Sequence, residues 1–165
     1  MKNTLIFLVS LLLYNCAGLP EYSFRGGNIP GETFSIESFA NVASLINPNL
    51  AIVMQNKLQE KFTNESNLKY IVESGDANFK GVITKYSISP VQGTGDETAS
   101  LSRLEIWVKV TYTNSLNNSQ DFEKTFKSFE DFESTKDFSS EEDELMKIIS
   151  EKLVVLIYGD TSTEW

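Results

Sequence analysis

Between Leu104 and Tyr112 the side chains alternate without a break: Leu104, Ile106, Val108, Val110 and Tyr112 on one side, Glu105, Trp107, Lys109 and Thr111 on the other. A period of two is the mark of a strand with one buried and one solvated face. Such a strand needs partners along its edges and a layer against its apolar face, so the rest of the chain must supply both. Phe79 to Val91, rich in β-branched residues and tyrosine, reads as one partner, with Pro90 marking its end or an edge. Gly81 inside it permits a bulge or a close backbone approach. Gln92 to Thr98 then forms a flexible hairpin loop. Asn114 to Asn118 turns the chain into the other partner, Phe122 to Phe132. There Phe122 and Phe126 share a face, whereas Phe129 breaks the period and predicts a bulge near Lys127.

The covering layer comes from two amphipathic stretches. Asn47-Pro48 opens a helix on which Leu50, Val53, Met54, Leu58 and Phe62 fall at steps of three and four. It ends near Thr63-Asn64. Ser139 and Glu142 have capping-box spacing at the start of a second helix. Its apolar stripe is Leu145, Ile148, Ile149, Leu153, Leu156 and Ile157, and Gly159 is expected to stop it. Two short strands, Thr33 to Phe39 and Leu68 to Val72, flank the first helix. The predicted fold is α+β: two amphipathic helices packed on one face of a four- to five-stranded mixed, mostly antiparallel sheet.

The N-terminus has a different character. Lys2 precedes the apolar run Leu5 to Leu13, which has the form of a secretory signal peptide and is shorter than the roughly 20 residues that span a bilayer. Leu13-Tyr14-Asn15-Cys16 resembles a bacterial lipobox, in which Cys16 is acylated and becomes the first mature residue; Tyr14 and Asn15 are larger than usual there. An ordinary secretory signal with an incidental cysteine, or an uncleaved anchor, stands beside that reading. The expected division is a lipoprotein signal peptide at 1–15, a lipidated tether and lead-in at 16–31, and a single domain at 32–165. Removing 1–15, whose one charge is Lys2, takes the net charge from −9 to −10. That acidity argues against nucleic acid as a partner, because phosphate binding relies on lysine and arginine.

Several chemistries are excluded or weak. The chain has no histidine and one cysteine, which removes histidine-based triads and histidine-containing metal sites; no cofactor is expected. The acidic clusters around Asp121, Glu130 and Glu141 lack calcium-loop spacing and read as solvated charge. Gly93-Thr94-Gly95-Asp96 lacks the Lys-Ser/Thr of a phosphate loop and reads as a turn. Cations are scarce. Lys80, Lys85, Arg103 and Lys109 fall on the two central long strands, with Lys124 and Lys127 on the third. They are either solvated or edge-guarding groups, or a patch that reads an anionic lipid headgroup.

Tyr22-Ser23-Phe24, Val42 to Leu50 with Asn47-Pro48, Lys80 to Val91, Thr94 to Ala99, Arg103-Leu104, Val108-Lys109-Val110 and Ser139 to Leu145 occur in a recognisable order and spacing. In these segments the mature chain resembles the LptE lipoproteins of Bacteroidetes-type bacteria, partners of the lipopolysaccharide (LPS) transport barrel LptD. The resemblance implies a non-enzymatic α+β plug at the outer membrane, held by a lipid on Cys16. It would sit on the periplasmic side or within the lumen of an LptD-like barrel, help that barrel assemble and assist LPS transfer. Lys80, Lys85, Arg103 and Lys109 are the candidate LPS contacts. Two other classes remain: a stand-alone envelope lipoprotein that binds a lipid or small ligand, and a small carboxylate hydrolase.

Overall fold

A computed structural model describes residues 29–91 and 100–162. Cys16, the tether up to residue 28 and the loop from Gln92 to Thr98 lie outside the described residues. In chain order the elements are β1 (Thr33–Ile36), β2 (Ala40–Asn41), α1 (Leu50–Glu65), β3 (Lys69–Tyr70), β4 (Ala77–Val91), β5 (Leu101–Asn114), a 3-10 turn (Asn118–Gln120), β6 (Phe122–Glu133) and α2 (Phe138–Ser162). They form one six-stranded sheet in the order β3-β1-β4-β5-β6, with β2 also paired to β4. β4, β5 and β6 run as an antiparallel meander, whereas β1 lies parallel to both β3 and β4 and β2 lies parallel to β4. The expected α+β architecture is therefore observed, with short parallel strands completing the sheet.

The alternation in β5 is realised as read. Leu104, Ile106, Val108, Val110 and Tyr112 are buried, all facing the helices. On α1 the buried positions are Leu50, Met54, Leu58 and Phe62, one per turn. Fully burying one such side chain contributes roughly 1.5–3 kcal/mol. A line of rings runs along the sheet and through α1 at Phe62: Tyr70, Phe34, Phe62, Phe79, Tyr112, Phe122 and Phe126 follow one another with centroids 4.6 to 6.2 Å apart. Tyr158 on α2 joins that line at Phe62, 5.0 Å away. Gly81 lies under the ring of Phe39, where any side chain would overlap it, so the close-approach reading applies there. The irregularity in β4 falls between Ile83 and Lys85 instead.

Four local expectations are corrected. The β5–β6 register is continuous, so there is no bulge near Lys127; Phe129 simply faces away from the helices and is 44% exposed. The capping box at α2 does not form, because Asp137 receives both the N–H and the hydroxyl of Ser139. Glu142 instead accepts from Asn47 Nδ2 (2.8 Å) and from the Tyr86 hydroxyl, tying the start of α1 and β4 to α2. The stripe of α2 is also rotated. Met146, Val154 and Tyr158 are buried beside Leu145, Ile149, Leu153 and Ile157, whereas Leu156 is 47% exposed, because α2 packs against α1 as well as the sheet.

Last, α2 runs through Gly159 to Ser162. A Cβ at Gly159 would meet nothing within 4 Å. Gly159→Ala should therefore stabilise the protein by about 1 kcal/mol, the helix-interior difference between the two residues; a raised denaturant midpoint at unchanged slope is the check. At the N-terminal side of the domain, Gly31 adopts φ 123°, which brings the chain over Asp76.

Candidate functional site

The helices cover one face of the sheet. The other face of β4, β5 and β6 carries the alternate residues, and the register places them in rows: Lys85 beside Trp107 beside Lys127, and Ser89 beside Arg103 beside Asp131. All four candidate cations lie on this helix-free face, and each has a carboxylate partner. Lys80 is 3.8 Å from Glu37, Lys109 is 2.6 Å from Glu123, and Lys85 pairs with Glu105. Arg103 makes a two-pronged contact, Nε to Oδ1 of Asp131 at 2.7 Å and Nη2 to Oδ2 at 2.9 Å. That planar fork is the stronger kind of charge-assisted bond.

Two aromatic rings lie among these pairs: strict alternation in the sequence places Trp107 there, whereas Phe129 is placed there by the continuous β5–β6 register in place of the expected bulge. The guanidinium carbon of Arg103 sits 3.6 Å from the centroid of Phe129. Trp107 is flanked by Lys127 at 3.9 Å and Lys85 at 4.6 Å. Each such cation–aromatic contact contributes roughly 0.5–1 kcal/mol at an exposed site. Among the described residues Lys127 has no ion pair, so Trp107 is its main partner. The indole N–H of Trp107 has no well-aligned acceptor but lies close enough to Glu105 to help lower that carboxyl. The face is thus plated with balanced charge over two rings, which reading the cations alone did not reveal. Lys124 faces the helices instead and pairs with Asp160 on α2.

The pairs hold their carboxyl groups below ordinary values. Lys85 is the main cause at Glu105, Lys109 at Glu123 and Arg103 at Asp131; at Asp76 the main cause is the Glu32 N–H. A carboxyl group depressed in the folded state contributes stability that is fully present above its unfolded pKa, and loses it as pH falls through the folded value. Stability should therefore be flat from about pH 5 to 8, since the chain has no histidine to titrate there. It should fall below about pH 4. Arg103→Gln should reduce the acid loss by the share of Asp131; thermal melts across pH check both.

Between α1 and α2 lies an open groove of about 520 Å³, lined by Ile52, Val53, Asn56, Lys57, Met146 and Lys147 among others. Among the described residues no cluster of three or more His, Cys, Asp or Glu could hold a metal, and no helix is long and apolar enough to cross a membrane.

Solved structures share the fold at low sequence identity. Lipoprotein B from Nitrosomonas europaea superposes with a TM-score of 0.55 at 13% identity, covering 88% of this chain and 90% of that one. A minor lipoprotein from Acinetobacter baumannii gives 0.52 at 13%, covering 79% and 92%. The PelC dodecamer from Paraburkholderia phytofirmans gives 0.52 at 8%, covering 85% and 95%. Likeness at such identities speaks for the fold alone. No curated protein matches the chain in sequence. The profile of the family described as "LptE: Lipopolysaccharide-assembly" matches residues 31–159, all six strands and nearly all of both helices. By that match, the chain belongs to the LptE lipopolysaccharide-assembly family.

Proposed function

We propose that this chain is an outer-membrane lipoprotein, anchored through acylated Cys16, that plugs and helps assemble an LptD-type β-barrel and assists LPS transport to the cell surface. The observation that carries the reading is the family match across residues 31–159. The charge-plated sheet face supports it. Strands of membrane barrels turn apolar groups outward and polar groups inward, so a plug meets a polar wall. A face of balanced ion pairs suits such a wall better than an apolar one. Lys80, Lys85, Arg103 and Lys109 remain the candidate contacts for LPS phosphates, which would have to share each cation with its carboxylate. The groove between the helices favours a second reading, a stand-alone envelope lipoprotein that takes a lipid or small ligand.

Depletion should lower the abundance of the barrel protein and of surface LPS together. If both stay unchanged, the assignment is refuted and the stand-alone lipoprotein is favoured. Within the same reading, Cys16→Ser should release the domain from membranes; a mature chain with a free thiol that begins elsewhere would overturn the anchor. Arg103→Gln with Lys109→Gln should weaken LPS binding. Glutamine is the better replacement, because a carboxylate at either position would face Asp131 or Glu123. Unchanged binding would overturn only the cation patch.

A further inference from the structure

The two long edges of this sheet are treated differently. Along β6 the edge is guarded by charge: Lys152 reaches the Phe129 carbonyl and Glu130, and Lys124 and Lys127 lie on the strand itself. Charged side chains along an edge discourage pairing with other chains. On the opposite side of β4, β1 and then β2 form a row of short parallel strands from Ala77 to Ile83. That row stops where the Val42 N–H donates to the Ile83 carbonyl at 3.0 Å. β4 stays paired with β5 from Lys85 to Val91, yet among the described residues no strand pairs with its other edge there.

This free length carries no charged guard. Tyr86-Ser87-Ile88-Ser89-Pro90 is uncharged, and Lys85 is drawn across the open face toward Glu105 and Trp107. Pro90, which has no N–H to donate, bounds it. The loop beside it is uncharged too. Val42, Leu45 and Ile46 are 63%, 50% and 59% exposed. The loop runs on to Asn47, which Glu142 ties to Tyr86, so these side chains stand next to the free edge. In a chain of net charge −9, an uncharged edge bordered by exposed aliphatic groups is a local exception.

We infer that the edge of β4 from Lys85 to Ser89 takes an added strand, an extended uncharged segment of the barrel partner that continues the row begun by β1 and β2. Main-chain hydrogen bonds to β4 hold the segment, and its alternate side chains pack on Val42, Leu45, Ile46 and Ile88. The inference rests on the proposed barrel partner, and its test separates the two.

The full-length chain is purified from native membranes as the parent, as the edge variant Leu45→Lys/Ile46→Lys/Ser89→Lys, and as the control Thr125→Lys on β6. All three variant positions, and the control, are exposed, so melting temperatures should match the parent. Recovery of the barrel protein should fall at least tenfold with the edge variant and stay at the parent level with the control. In the parent complex, amide exchange of Lys85 to Ser89 should slow at least tenfold relative to the free chain. Equal recovery by parent and edge variant, or unchanged exchange at these amides, overturns the added strand and leaves the barrel reading standing. A parent that recovers no barrel protein, or only a second copy of itself, overturns both.

Discussion

Ile149→Asp and Leu58→Asp should each abolish the cooperative thermal transition. Both side chains are fully buried, Ile149 on α2 and Leu58 on α1. An aspartate at either site loses the packing of the aliphatic group and brings in a charge with no partner. Burying such a group belongs to the few single changes that exceed about 4–5 kcal/mol, against a total stability of about 5–15 kcal/mol for a domain. Neighbouring substitutions supply the contrast. Lys57 and Glu151 join the two helices through a 2.8 Å pair, but both remain substantially solvated. Lys57→Ala or Glu151→Ala should change stability by no more than about 1 kcal/mol. Aspartate variants that melt like the parent would show that the helix faces are wrongly assigned.

Asn114→Ala should be the most damaging polar substitution in the domain. Asn114 is fully buried at the end of β5. Its Nδ2 donates to the Pro30 carbonyl at 2.7 Å and to the Tyr112 hydroxyl at 3.1 Å. Its Oδ1 accepts from the N–H groups of Leu116 and Asn117, at 2.9 and 3.1 Å. Removing the side chain strips partners from the lead-in, the strand and the turn at once, and each orphaned buried group costs about 1–3 kcal/mol. A loss on the order of 3 kcal/mol or more is expected in the denaturant midpoint, with Thr113→Ala, exposed on the same strand, nearly silent. A loss below about 1 kcal/mol would mean that water replaces the network.

The role of Asn114 also marks where reading the sequence runs out. Periodicity reports which face of a strand or helix is apolar, so β5, α1 and the two-layer arrangement were legible. It carries no information on partners distant in sequence. Asn114 looked like one more turn residue because Pro30 is far from it along the chain. Lys85, Arg103 and Lys109 read as solvated or edge-guarding groups, or as a patch, without visible partners, because their carboxylates sit on other strands and only the register brings them together. Glu142 had capping spacing to Ser139, but Asp137 was nearer and Tyr86 offered a buried hydroxyl. Phe129 broke the expected period for a different reason. An aromatic side chain can be stabilised on a solvated face when a guanidinium covers it, and hydropathy patterns take no account of that.

The parallel placement of β1 has a consequence in time. Hairpin partners in β4, β5 and β6 are joined by short connections and can close early, whereas β1 must wait for a strand some 40 residues further along, Phe34 meeting Ala77. The strand that comes first in the sequence is thus one that gains its full place in the sheet late. Until β4 is in place, Phe34 can lean only on Phe62 of α1 and Tyr70 of β3, and the half-formed domain must be kept from associating through this incompletely covered edge.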